Sequence, residues 1–373
     1  MFSRAKKNTP IVGLDVQTSS VAATEIIGGG SSPRVGKTAI APLPPGATRD
    51  GEVIDSERFA AALKELFSSQ KLGRRVRVGL ANQRAVVRVM RMPTIDSRDD
   101  LETAIRFQAK DEIPMALEQA VIDWQVMARG VGDGGQQMDV AVVAARRDTV
   151  SGVLESIKLA GLRPVGIDMS AFGMIRALRH EVSSTLPGAV SDASSDQQGD
   201  AGKGGAGADS VPRLYCNLGD VVNLAVARDG DCLFCRVSPF GVEGIAQRLA
   251  ERRGLELEHA REWLFHVGLE QDPSEIEGDP EIVLAAREAL TDGASKLADE
   301  LRLSLDFFSA QEGAMPIESV VASGPGTTIS GLSERLASEL DCPFESVRPA
   351  ALSHLDNAAA ARLTLSYGLG LEV

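Results

Sequence analysis

The chain has 373 residues, 43% of them hydrophobic and 24% charged, with a formal net charge of −13. That length is long for one core and predicts two lobes of ordinary domain size. The acidic balance excludes nucleic acid as a main partner, since phosphate recognition needs clustered cations, and no segment reaches the roughly 18 consecutive apolar residues of a membrane span.

Near the N-terminus, Arg4, Lys6 and Lys7 form a basic patch. It reads as a solvated terminus, with weak attraction to an anionic membrane surface as the sharper alternative. No apolar signal-peptide core follows these residues, so a cytoplasmic protein is expected.

The segment Ile11–Ile27, IVGLDVQTSSVAATEII, organises what comes after it. An apolar run through Gly13 and Asp15, a small polar turn at Gln17–Ser20 and renewed alternation to Ile27 predict a strand, a tight turn and a second strand. Such a turn leaves backbone N–H groups aimed one way, which suits an anion such as a nucleotide phosphate. A hairpin of the same design recurs at Leu214–Arg228, with Asn217–Leu218–Gly219–Asp220 at its turn. Two such hairpins predict two related lobes.

In chain order, Asp55 and Ser56 cap a helix with Phe59, Leu63 and Leu66 at helical spacing. Val76–Leu80 and Val86–Met92 read as strands, Leu101–Glu112 as a helix stopped by Pro114, and a strand begins at Trp124 and Val126. Met138–Ala145 is the most strand-like run, so residues 76–147 are expected to form one compact unit inserted into a first lobe of 8–75 and 148–185. That lobe closes with a helix at Asp148–Leu159, a strand at Leu162–Ile167 and a helix at Ser170–Val182. Residues 186–212 hold almost no large apolar side chain and read as a flexible insertion.

The second lobe is expected at 213–240 and 317–373, with a helical subdomain at 241–316. Helices are predicted at Val242–Arg253, Glu258–Phe265 and Glu281–Phe308, the last with Leu290, Leu297, Leu301, Leu305 and Phe308 on one stripe. Ile317–Ser323 reads as a buried strand before Gly324–Pro325–Gly326, and Ala358–Gly370 as a short helix closing this lobe.

Four cysteines are present, Cys216, Cys232, Cys235 and Cys342, and Cys232 and Cys235 share C-x-x-C spacing. On a regular strand, residues three apart face opposite sides, so these thiols are expected to stay buried and reduced rather than to meet on one metal ion. The four histidines show no ligand spacing.

Five segments in order, GLDVQTSSV, DEIPMALEQAVIDWQVM (Asp111–Met127), AGLRPVGIDMSAFGMIRAL (Ala160–Leu178), LADELRLSLDFF (Leu297–Phe308) and VVASGPGTTISGL (Val320–Leu332), span nearly the whole chain. Together they resemble the PilM family, actin-like assembly proteins of type IV pili related to the cell-division protein FtsA. The resemblance implies an α/β actin/Hsp70/sugar-kinase fold, two lobes over a nucleotide, with 76–147 as the FtsA-type inserted subdomain. It further implies a protein at the inner face of the cell membrane that grips the N-terminal cytoplasmic peptide of a PilN-like membrane protein. Through that grip it would couple the pilus platform to motor ATPases, and self-association stays open.

For ATP and Mg2+, the resemblance implies a first phosphate loop of Gly13, Asp15, Gln17, Thr18, Ser19 and Ser20, with Asp15 facing the metal through water. Gly219 and Asp220 take the second loop, and Ser323, Gly324 and Gly326 the adenosine motif. Ile105, Phe107, Ile113, Pro114 and Met115 are the candidate lining of the peptide groove between the inserted subdomain and its parent lobe. Core of that subdomain is the competing reading of Ile105 and Phe107.

The chain departs from related loops at Gln17, where glycine is common, at Ala22, where lysine is common, and at Asn217, Val222 and Pro325, where Asp, Thr and Gly are usual. Charge and catalytic groups are lost while the turns survive, so ATP binding with weak or no hydrolysis is expected. An active ATPase or phosphotransferase of the same superfamily is the alternative. A filament former that binds membranes directly would carry a C-terminal amphipathic helix, which the sequence after GLGLEV does not supply.

Overall fold

The structure is a computed structural model that describes residues 9–28, 33–132, 135–182, 211–311 and 313–371. Arg4, Lys6, Lys7 and nearly all of the low-complexity segment 186–212 lie outside the described residues. Among the described residues no helix is long and apolar enough to cross a membrane.

The first hairpin forms as read, β1 (Ile11–Val16) pairing antiparallel with β2 (Ser20–Ile27) from Ile11 opposite Ile26 to Val16 opposite Val21. It is followed by β3 (Arg34–Pro42), the short pair β4 (Thr48–Arg49) and β5 (Glu52–Val53), α1 (Ser56–Ser69) and β6 (Arg75–Leu80). The Asp55 carboxylate accepts from the N–H groups of Glu57 and Arg58 and so starts α1. The side chains of Phe59, Leu63 and Leu66 bury one face of that helix against the sheet.

The insertion is a three-stranded sheet, order β7-β9-β8, from β7 (Val86–Pro93), α2 (Arg98–Glu112), β8 (Ala120–Gly132) and β9 (Gly135–Arg146). Its own core joins Met90, Met92, Leu101, Ile105, Ile113, Met138 and Val140. The expected boundary at residue 76 is corrected: β6 pairs parallel with β1 and belongs to the parent sheet, so the insertion begins after Leu80. Alternation along β6 marks a strand without saying which sheet it joins.

The chain returns through α3 (Arg147–Leu159), β10 (Arg163–Met169) and α4 (Ser170–Leu178), giving the first-lobe sheet the order β10-β6-β1-β2-β3. The second lobe repeats the plan. Its hairpin is β11 (Arg213–Leu218) and β12 (Val222–Arg228), extended by β13 (Asp231–Ser238) on one side. After α5 (Val242–Arg253), α6 (Leu257–Val267) and the long α7 (Pro280–Ser309), β14 (Val320–Ser323) pairs parallel with β11. Then come α8 (Leu332–Leu340), β15 (Phe344–Ser346) and α9 (Asn357–Gly370). The resulting order β13-β12-β11-β14-β15 matches the first sheet strand for strand.

Two expectations change. The C-terminal helix α9 does not close the second lobe: it crosses over and packs on β1, β2, β6 and α4 of the first. Arg77 donates to Leu369 O at 3.2 Å and Arg176 to Gly368 O at 3.1 Å, so guanidinium groups satisfy the last carbonyls of α9 where its dipole is negative. The second change concerns Cys232 and Cys235. A bulge at Leu233 sets Cys232 opposite Ala227 and Cys235 opposite Ala225, two positions apart on β12, so both thiols face the same side. The adjoining Cys235 thiol and burial together hold Cys232 well above the ordinary thiol range. Both remain free, and no cluster of three or more metal-ligating side chains occurs among the described residues.

Candidate functional site

The two hairpin turns meet. Gln17 N–H donates to Ser20 O at 2.9 Å and closes the first turn, while the Thr48 hydroxyl holds the carbonyls of Gln17 at 3.1 Å and Thr18 at 2.8 Å. With those carbonyls tied down, Ser19 presents its N–H and hydroxyl to the other lobe. Both donate to Asp220 Oδ2, at 2.8 and 2.6 Å. The Asp220 turn is fixed from behind by Val242 N–H, which donates to Gly219 O at 2.9 Å.

The third motif is strapped to the second turn. Asn217 Nδ2 donates to Ser323 Oγ at 3.0 Å, and Gly324 sits at φ +90° with a Cβ position only 2.8 Å from Asn217 Nδ2. Glycine is required there for both reasons. Pro325 opens the short turn Pro325–Thr328, a first position whose N–H has no helical partner, so the proline fits without a lost bond. A Cβ on Gly326 would lie 2.7 Å from Leu218 Cβ, so glycine is needed there for the close packing on Leu218.

Asp15 is 2% exposed. Gln17 Nε2 donates to its Oδ2 at 2.9 Å, and Oδ1 has no partner. Burial pushes the Asp15 carboxyl up to about 7, opposed by the Gln17 hydrogen bond and reinforced by the Asp220 charge. Asp15, Gln17, Ser20, Asn217, Asp220 and Arg362 line a cavity of about 20 Å³. That holds about one water. Gly324, Thr327, Thr328, Ser346, Arg348 and Asn357 line a neighbouring cavity of about 220 Å³. A larger space of about 520 Å³ beside Leu269, Arg287 and Glu334 touches none of the loop residues.

Of the first-loop residues, Asp15, Gln17, Ser19 and Ser20 converge with Asp220, while Thr18 contributes its carbonyl to the turn. Gly13 does not reach the cavity. A Cβ on it would lie 1.9 Å from Ser366 O and 2.4 Å from Gly370 N, so its glycine serves the close approach of α9. Thr48, which shapes the first loop, and Arg362, on a helix assigned from sequence to the other lobe, carry no motif that marks them.

On the inserted module, Ile105 and Ile113 are 0% and 4% exposed and form its core, so they cannot line a groove. Phe107 is 73% exposed, the most exposed large apolar side chain among the described residues. Residues two apart on a helix point to nearly opposite faces, which separates Ile105 from Phe107. Pro114 is exposed and Met115 half-buried.

The residues suit an anionic ligand. The first loop already holds an anionic oxygen, that of Asp220, and Asp15 Oδ1 is an unpaired buried acceptor beside it. The donor set therefore fits a nucleotide and a hydrated divalent cation when the Asp220 contact is released.

The family model described as type IV pilus assembly protein PilM matches residues 13–195, through the first lobe and the inserted module. A solved "PilM-PilN type IV pilus biogenesis complex" chain is 24% identical, with 97% of this chain and 99% of that chain covered and a TM-score of 0.74. MreB5 of Spiroplasma citri bound to ADP is 14% identical, with 97% and 95% covered and a TM-score of 0.52. The ethanolamine utilization protein EutJ from Carboxydothermus hydrogenoformans is also 14% identical, with 96% and 88% covered and a TM-score of 0.50. These likenesses give the actin-like two-lobe fold. Over residues 13–195, the first lobe and the inserted module, the chain is similar to the type IV pilus assembly protein PilM family.

Proposed function

We propose that this chain is a scaffold at the cytoplasmic face of the inner membrane, where it holds the N-terminal cytoplasmic peptide of a PilN-like membrane protein. Through that peptide it links the pilus platform to its motor ATPases, and it binds ATP with Mg2+ while turning it over slowly or not at all. The observation that carries the scaffold reading is Phe107, a large aromatic left 73% exposed on α2 of the inserted module. Exposed Pro114 and half-buried Met115 follow at the end of the same helix. An aromatic anchor of this kind is what a short peptide needs for a binding hot spot.

The slow-turnover part rests on the carboxylates. Asn217 stands at the second loop, an amide that cannot serve as a base, and spends its Nδ2 on Ser323. A working phosphotransferase needs a free carboxylate to take a proton from the nucleophile. When ATP and Mg2+ are bound, Asp15 is the residue to face the hydrated metal and the first loop the one to hold phosphate oxygens.

The test is a calorimetric titration of the purified protein with a synthetic PilN-type N-terminal peptide. We expect saturable binding, and Phe107→Ala to weaken it by about 2 kcal/mol or more while changing the unfolding free energy by less than about 0.5 kcal/mol. No binding by the wild type, or equal binding by the variant, rejects the anchor.

A further inference from the structure

The two ends of the cleft differ. The end at Gly324, Thr327 and Arg348 encloses about 220 Å³, whereas the end at Asp15, Gln17 and Asp220 encloses about 20 Å³. What closes the smaller end is a side chain. Asp220 comes from the second lobe, 201 residues along the chain from Ser19, and its Oδ2 takes both the N–H and the hydroxyl of Ser19 at 2.8 and 2.6 Å. Distances this short to an ionised acceptor mark charge-assisted bonds, the strong kind. A carboxylate oxygen held by a backbone N–H and a hydroxyl at a tight turn makes the contacts a phosphate oxygen would make.

The surroundings hold it there. Gln17 lies against the same turn, its Oε1 2.9 Å from where a Gly219 Cβ would sit, and that Oε1 has no partner of its own. Gly241 lets α5 press on the turn, its Cβ position being 2.4 Å from Gly219 O and 2.5 Å from Asp220 O. The carboxylate is thus presented by packed backbone, not by a free loop.

We propose that Asp220 is the specificity-determining residue of this cleft, an internal stand-in for phosphate that lets a nucleoside enter the larger end and holds polyphosphate out until the Ser19 contact breaks. The inference rests on the ATP-binding reading. It implies that a nucleoside di- or triphosphate separates the lobes at this point, because one pair of Ser19 donors cannot serve both anions.

Adenosine, ADP and ATP with Mg2+ are titrated into the full chain and into its Asp220→Ala and Asp220→Asn variants, and amide exchange is followed over residues 17–20 without ligand. We expect Asp220→Ala to bind ADP and ATP about tenfold more tightly or better, with adenosine affinity unchanged within about twofold. Asp220→Asn, which keeps an acceptor and loses the charge, is expected to fall between. Exchange at Ser19 should quicken about tenfold in Asp220→Ala, with the inserted module unaffected. Unchanged or weaker ATP binding by Asp220→Ala, with adenosine still bound, overturns the proposal alone. Unchanged exchange at Ser19 also overturns it. If none of the three ligands binds any of the proteins, the ATP reading falls with it.

Discussion

Gly13→Ala is expected to lower the stability of the protein by about 3 kcal/mol, read as an earlier urea midpoint. The new Cβ would lie 1.9 Å from Ser366 O and 2.4 Å from Gly370 N, both backbone atoms of α9. The helix cannot swing aside cheaply. Thr24 and Ser366 hydroxyls meet at 2.7 Å beneath it, and Arg77 and Arg176 hold the carbonyls of Leu369 and Gly368. Gly130, with nothing within 4 Å of its Cβ position, is the control, and its alanine variant should change stability by less than about 0.5 kcal/mol. An unmoved midpoint for Gly13→Ala would mean that α9 does not dock on β1, and Gly13 would return to the phosphate loop.

Asp15→Asn is expected to abolish a pH dependence of stability. The carboxyl rises from its ordinary 3.8 to about 7 in the folded chain, so folding favours its protonated form. The stability this gives is complete below pH 3.8 and is lost as pH rises through about 7. At 1.36 kcal/mol per pH unit the loss is on the order of 4 kcal/mol at most. Other carboxylates titrate alike in both proteins, so the difference between wild type and variant isolates this group. The substituted amide would keep an acceptor for Gln17 without a buried charge. Urea midpoints at pH 5 and pH 8 should therefore show the variant gaining a few kcal/mol on the wild type at the higher pH. An equal difference at both pH values would place Asp15 in contact with solvent or a cation.

Both hairpins are legible in the sequence because alternation breaks at short polar turns, QTSS and NLGD, where a chain has few other ways to reverse. The surface role of Phe107 is half legible, since Leu101, Ile105 and Ala109 repeat every four residues and leave position 107 off that stripe. The destination of α9 is not legible. Nearly all of its positions from Ala360 to Gly370 are buried, so no apolar stripe points to one lobe or the other. The bulge at Leu233 is equally silent, because nothing in DCLFCRV announces the extra residue that brings two thiols to one face. Least visible is the bond between Ser19 and Asp220, a contact fixed only when two folded lobes close.

Turnover of ATP by the purified chain in the presence of Mg2+ tests most directly whether an ATPase fold here serves as a scaffold. The account predicts hydrolysis well below about 1 s⁻¹, because the second loop offers Asn217, an amide tied to Ser323 that cannot act as a base. A rate at or above about 1 s⁻¹, in the range of ordinary enzymes, would contradict it.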